Sequence, residues 1–262
     1  MGEDMRNICL HLKFDGSHYH GWQVQKNAVS VQQTVQDAIE KVFGDRLDLT
    51  GCSRTDAGVH ANDYVCCFCT ESNIDTTHIM RALNANLPDD IAVTACEEVP
   101  MDFHPRYSAS GKEYIYRIHN GRFKDPFTRA YTFHYPKPLD VMRLNETAQA
   151  FCGKHDFAAF CSIKAASRHR PDETEDTVRT IYLAEVTRNG DEVVYRVRGD
   201  GFLYNMVRIM VGTLLFSNGG KLTYEGLSEI IRSKDRLKAG PTAPAHGLFL
   251  NKVFYNETVF KP

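Results

Sequence analysis

No stretch of this chain is apolar for long enough to cross a bilayer. A transmembrane helix needs about 20 apolar residues, and the most apolar run, Phe202 to Phe216, is shorter and is broken by Asn205 and Arg208. The start, Met1-Gly2-Glu3-Asp4-Met5-Arg6, is acidic and lacks the apolar middle of a secretory leader. Arg6 stands where a myristoylation signal has Ser or Thr. The expectation is therefore a cytoplasmic protein without a membrane partner. An excess of positive charge is missing as well. With 31 Lys and Arg against 33 Asp and Glu, the net charge is −2, which excludes a protein that grips nucleic acid over its whole surface.

A metal-ligand pattern is also lacking. The eight cysteines include one C-x-x-C spacing, Cys66 to Cys69, but Tyr64 to Thr70 reads as a strand, in which residues three apart face opposite ways. No second C-x-x-C or close histidine pair completes a tetrahedral set. The cysteines read as structural thiols of a reducing compartment, and neither metal nor cofactor is expected. Tryptophan occurs once, as Trp22. It can pack on the core or stack on a base, and packing is the expectation.

What is present is the composition of a globular protein: 262 residues, 42% hydrophobic and 24% charged, enough for one or two cores. Asn7 to Phe14 alternates as a half-buried strand, and Asp15-Gly16 turns it. Ser30, with Gln33 three residues on, caps a helix whose Val31, Val35, Ala38, Ile39 and Val42 form one stripe before Gly44. Strands near Asp48 to Cys52 and Tyr64 to Thr70, a helix over Thr77 to Asn86 and a strand over Ile91 to Val99 complete a split βαβ succession. The scaffold is shared with RNA-recognition domains, though their aromatic RNA-binding signature is absent.

A second such pattern begins after residue 105. Glu113 to His119 alternates as a strand, Asp140 caps a helix predicted to run to Cys152, and Val178 to Val186 with Glu192 to Arg198 form a hairpin about Asn189-Gly190. A buried helix is predicted over Phe202 to Phe216, a shorter one over Tyr224 to Ile231, and a last strand over Leu248 to Tyr255. The expectation is an α+β protein with domains 1–105 and 106–262. Basic residues gather locally. From His104 to Arg129 the chain carries Arg106, Lys112, Arg117, Arg122, Lys124 and Arg129 against Glu113 and Asp125, and Lys164, Arg168, His169 and Arg170 follow.

The loop Gly51 to Ala61 is the candidate for chemistry. It sets Asp56 between Gly51 and Gly58, which permit positive φ and close approach, and Arg54 lies two residues away. A nearby guanidinium favours a charged carboxylate, so this spacing suits either a nucleophile or base or an ordinary loop with a local ion pair.

The run Arg54-Thr55-Asp56-Ala57-Gly58-Val59-His60-Ala61 resembles the signature loop of the tRNA pseudouridine synthase A family. Further blocks resemble it in order: Phe14-Asp15-Gly16 with Gly21-Trp22-Gln23; Ser30-Val31-Gln32; Leu83-Asn84-Ala85-Asn86-Leu87-Pro88; Phe103-His104 with Arg106; Tyr114-Ile115-Tyr116; His155-Asp156-Phe157; Met206-Val207-Arg208; and Ala243-Pro244 with Gly247-Leu248. The likeness runs from about Ile8 to Tyr255.

The resemblance implies two ferredoxin-like halves whose sheets join around a central cleft, and a cofactor-free isomerase that converts uridine to pseudouridine in the anticodon stem-loop. It implies that Asp56 is the catalytic aspartate, attacking C6 of the base or C1′ of the sugar. Tyr114 would stack on the target base or mediate a proton step. Arg208 and Arg54 would share two roles, pairing Asp56 and holding the space left by the flipped base, and Leu248 would wall the pocket. It further implies a homodimer on which Arg106, Lys112, Arg168 and Arg170 help to hold tRNA. Two departures stand out. Cys52-Ser53 precedes Arg54 where the family often has Ala-Gly, and Lys112-Glu113 replaces two arginines, which alters the phosphate contacts available to that strand. An RNA binder without activity would need no nucleophile, and a glycoside hydrolase would need a second carboxylate in partnership with the first, a role that no matched block offers.

Overall fold

The computed structural model describes residues 5–162, 176–217 and 221–256. Lys164, Arg168, His169 and Arg170 lie outside them. The chain forms two compact units, Met1–Gly111 with Phe249–Pro262, and Lys112–Leu248. The sequence reading divides the chain at 105 and leaves the whole last strand with the second half. In the structure that strand returns to the first unit from Phe249 onward, because its backbone pairs there in parallel, Phe249 with His60 and Leu250 with Ala61.

In the first unit, β1 (Arg6–Phe14) lies between β4 (Ile91–Val99) and β3 (His60–Thr70), antiparallel to both. The short β2 (Thr50–Gly51) adds to β3 on the side away from β1. It spans less than the predicted Asp48 to Cys52. The resulting order, β4-β1-β3-β2, is that of a split βαβ unit. The predicted cap of α1 (Val31–Phe43) forms: Ser30 Oγ accepts from Gln33 N, and Gly44 closes the helix at φ 83°. Glycine takes that left-handed conformation without steric cost. The buried stripe is Val31, Val35, Ala38 and Ile39, with Val42 half-buried. The helix α2 (Thr76–Asn86) is bound to β4 by Asn84, whose side chain accepts from Val93 N (2.8 Å) and donates to Val93 O (2.9 Å).

The second unit repeats the logic. β5 (Ala109–His119, from Lys112 onward), β9 (Glu192–Gly199), β8 (Val178–Asn189) and β7 (Gly153–Asp156) form an antiparallel sheet in that order, with β6 (Phe133–His134) parallel to β5. Its α-helices among the described residues are α3 (Val141–Ala148), α4 (Met206–Phe216) and α5 (Tyr224–Ser233). Two ends differ from the reading. The predicted helix to Cys152 tightens after Ala148 into a single 3-10 turn, with Cys152 N bonded to Gln149 O. The buried helix starts at Met206, not Phe202, because Asn205 before it is left-handed at φ 61°. No helix among the described residues is long and apolar enough to cross a membrane.

Candidate active site

The predicted site residues divide between the units, Arg54 and Asp56 in the first, Tyr114, Arg208 and Leu248 in the second. In the first unit the Asp56 loop joins β2 to β3, and several of its backbone groups are anchored. Tyr64 Oη donates to Ser53 O at 2.5 Å, Trp22 N to Thr55 O at 3.2 Å, Gly58 N to Tyr19 O at 3.2 Å, and Val59 N to Asp56 O at 3.2 Å. Gly58 turns the loop at φ 77°. Two distant glycines make room for it. A Cβ on Gly16 would lie 2.0 Å from Val59 O, and one on Gly21 would lie 2.2 Å from Thr55 O. These contacts explain physically why Asp15-Gly16 and Gly21-Trp22 accompany the loop.

Trp22 is buried and stacks on Tyr64 at 4.1 Å, so it packs, as the sequence suggested. Beneath the loop, buried His60 has Nδ1 3.0 Å from both Gly16 N and Asp15 Oδ1, and its ring stacks on Phe249 at 4.6 Å. Asp56 itself is half-buried, whereas Arg54 is exposed. Thr55 Oγ1, next to Asp56 in the chain, is buried without a hydrogen-bond partner.

In the second unit, Tyr114 and Tyr116 share one face of β5. The Tyr114 ring is buried and meets Phe202 edge-on at 5.0 Å. Fully buried Tyr116 donates to Pro244 O at 2.8 Å. Burial pushes its phenol well up, against the charge of Arg208, which draws it down. Arg208 is half-buried on α4, where Nε donates to Ala243 O (2.7 Å) and Nη1 to Asn205 Oδ1 (2.9 Å). Ala243 N returns a bond to Arg208 O. The segment before Ala243 runs so close to α4 that a Cβ on Gly212 would lie 1.7 Å from Pro241 O.

Just beyond, Gly247 passes over the Tyr116 ring, which a Cβ there would meet at 2.8 Å, and Leu248 follows, buried. Ala243-Pro244 and Gly247-Leu248 are thus the strap that holds Tyr116 and the guanidinium. His246 sits in the same strap. Burial, then the charge of Arg208, lowers its pKa, against a hydrogen bond with the Thr132 backbone. Asn205 and His246 were missed in the sequence. The only signal was a polar residue beside a matched motif.

Arg106, in the first unit, is exposed with its guanidinium 5.6 Å from the Tyr107 ring centroid. Lys112 is half-buried opposite Gly199, and Glu113 is buried opposite Arg198. Directly opposed residues share a face, so the charge that Glu113 reverses has a cation as cross-strand neighbour. No group of three metal-ligating side chains occurs among the described residues. Cys66 is buried and Cys69 exposed on β3, the opposite facing expected of a strand.

A model of the tRNA pseudouridine synthase family matches residues 11–108 and 147–256. The chain is 45% identical over 251 residues to tRNA pseudouridine synthase A of Acetivibrio thermocellus, covering 96% of this chain and 100% of that one. It is 44% identical over 251 residues to the enzyme of Thermoanaerobacter sp. strain X514, and 45% over 252 to that of Ruminiclostridium cellulolyticum, with the same coverage. Among solved structures, the archaeal box H/ACA sRNP Nop10-Cbf5 complex is similar at 12% identity over 88% of this chain and 60% of that one, with a TM-score of 0.33, too low to carry an argument.

Proposed function

Because the chain belongs to the tRNA pseudouridine synthase family, we propose that it isomerises uridines of the tRNA anticodon stem-loop, with Asp56 as nucleophile. The enzyme class and the tRNA substrate follow from membership. The choice of stem-loop and the residue roles are our reading. Its main support is the Asp56 loop, whose backbone is bonded to Trp22, Tyr19 and Tyr64 and wedged against Gly16 and Gly21, so that one carboxylate is presented on a rigid turn.

The reaction breaks the C1′–N1 bond of uridine, turns the base and joins C1′ to C5, which then gives up its proton. No electron or group is carried away, so a nucleophile, a proton path and walls around the loosened base suffice. Asp56 attacks C6 or C1′ and is expelled again at the end. Tyr114 stacks on the base. Leu248 closes the pocket with an apolar side chain. Arg208, already oriented by Ala243 and Asn205, supplies the positive charge for the carboxylate, and exposed Arg54 fills the gap left by the flipped nucleotide. Arg106, Lys112, Arg168 and Arg170 contact phosphates, and two copies of the chain hold one tRNA between them in the cytoplasm.

The test is Asp56→Asn with unmodified tRNA transcripts. The amide keeps the shape and loses the anionic nucleophile, so pseudouridine mapped in the anticodon arm should vanish while the variant still binds the transcript. Turnover near the wild-type rate would overturn the assignment.

A further inference from the structure

The loop from Asn120 to Thr132, in the second unit, presents two aromatic rings to solvent. Phe123 is 73% exposed and Phe127 is 90% exposed. Phenylalanine loses free energy when left in water, and two such rings on one loop call for a partner. Between and beside them stand Arg122, Lys124 and Arg129, all exposed. The Arg122 guanidinium lies 5.2 Å from the centroid of the Phe123 ring. The one carboxylate of the loop, Asp125, is engaged within it, accepting from Phe127 N (2.9 Å) and from Thr128 Oγ1 (2.8 Å), and these bonds lower its pKa.

The loop is built, not slack. His119 Nε2 lies 2.8 Å from Phe123 O and His134 Nε2 lies 3.0 Å from Gly121 O. Asn120 Nδ2 donates to Tyr135 O at 2.6 Å and to Lys137 O at 2.8 Å. Thr132 Oγ1 donates to Thr128 O at 3.0 Å, and Arg129 donates to Pro126 O. A loop whose backbone is already ordered gives up less entropy on binding.

From this arrangement we propose that the loop is a second RNA-binding element, in which Phe123 and Phe127 stack on unpaired bases of the tRNA while Arg122, Lys124 and Arg129 hold the adjacent phosphates. The inference rests on the tRNA-modifying activity for its substrate. Aromatic faces interleaved with cations form a platform for single-stranded nucleic acid, because every base offers a π face and every nucleotide a negative charge. A second copy of this chain fits less well. Seated on a two-fold axis, the loop would meet its own three cations.

The experiment measures binding of an unmodified tRNA transcript by anisotropy, with all variants built on full-length Asp56→Asn protein so that turnover plays no part. Phe127→Ala should weaken binding about tenfold, and Phe123→Ala combined with it should weaken binding further. Phe127→Trp should keep the affinity, and its indole emission should be quenched by the transcript, since Trp22 is buried. Changing Arg122, Lys124 and Arg129 to Gln should reduce the salt slope of log Kd by about one unit for each phosphate no longer neutralised. Affinity within twofold of the parent for Phe127→Ala would overturn the proposal. So would a fall to half the parent mass in the double variant with binding per subunit unchanged, which would make the loop a contact between copies. Absence of pseudouridine from wild-type reactions would instead strike the assigned reaction and leave these affinities to be judged alone.

Discussion

Gly21 and Thr55 approach so closely that a side chain on the first would occupy the carbonyl oxygen of the second, at 2.2 Å from an added Cβ. Gly21 is also left-handed, at φ 87°, and Trp22 N bonds the same oxygen. The residue before Asp56 is thus located by a glycine from another part of the chain.

Gly21→Ala should therefore act mainly on catalysis. The left-handed backbone costs about 1–2 kcal/mol for alanine, which lowers Tm by several degrees. Displacing the loop by even about 1 Å should cost on the order of a hundredfold in kcat. Single-turnover pseudouridine formation and a thermal melt separate the two effects. A variant with lowered Tm and wild-type turnover would show that the close approach does not position Asp56.

Thr55→Val tests the orphan hydroxyl. Thr55 Oγ1 is buried without a partner, and such a group costs about 1–3 kcal/mol relative to a satisfied one. Valine has the same shape without the oxygen, so the variant should melt at the same temperature or higher. A clear fall in Tm would mean that the hydroxyl has a stabilising partner.

Much of this organisation was legible in the chain itself, and the limits have a physical cause. Local signals are read within a few residues: Ser30 and Gly44 bound α1, and alternation marks β5, since caps and strand faces depend on neighbours in sequence. The function of Gly16 and Gly21 was not legible, because the atoms they make room for lie more than 30 residues on. The early return of the last strand was hidden for the same reason. Phe249 and Leu250 pair with His60 and Ala61, and no periodicity in Leu248 to Tyr255 names that partner. The motif around Arg208 was visible. Its anchors were not, since Asn205 turns left-handed only where the helix begins and Ala243 comes from another segment.

Acid stability should depend on Asp156. Burial pushes this carboxyl up, but Lys234 Nζ at 2.8 Å, Thr177 Oγ1 at 2.6 Å and Ala158 N at 3.1 Å outweigh it, and the net shift is downward. A folded pKa below the unfolded one stabilises the protein above the ordinary aspartate range, and that stabilisation is lost as pH falls through the depressed value. Asp156→Asn should therefore lower Tm at neutral pH and narrow its gap to wild type below about pH 4. A gap that stays constant into acid would show that the carboxylate charge contributes nothing. Lys234 is largely exposed, so the effect should be modest.

Alkylation should follow the facing of β3. Cys69 is exposed, whereas Cys9, Cys66 and Cys67 are buried. A hydrogen bond with Cys67, then burial, pushes the Cys9 thiol up, and burial, followed by the neighbouring thiols Cys9, Cys52 and Cys96, does the same to Cys66. The thiolate is the reactive form, so iodoacetamide followed by peptide mass mapping should find Cys69 modified well before those three in native protein, with all four modified in denaturant. Early labelling of Cys66 would contradict the strand facing.

Asn205 allows the anchoring of Arg208 to be separated from the shape of the backbone. It holds φ 61° at the start of α4 and accepts from Arg208 Nη1 at 2.9 Å. Glycine adopts that φ freely and alanine pays about 1–2 kcal/mol, yet both remove the acceptor. Asn205→Gly should keep Tm within a degree or two of wild type, and Asn205→Ala should lower it by several degrees. Both should reduce kcat by a similar, severalfold factor, because Arg208 keeps its bond to Ala243 O but loses one of the points that fix its plane. KM for the transcript should change less than kcat if the guanidinium serves the reacting carboxylate. Wild-type kcat in Asn205→Gly would mean that Asn205 only shapes the turn into the helix, while a fall confined to Asn205→Ala would trace the defect to the backbone.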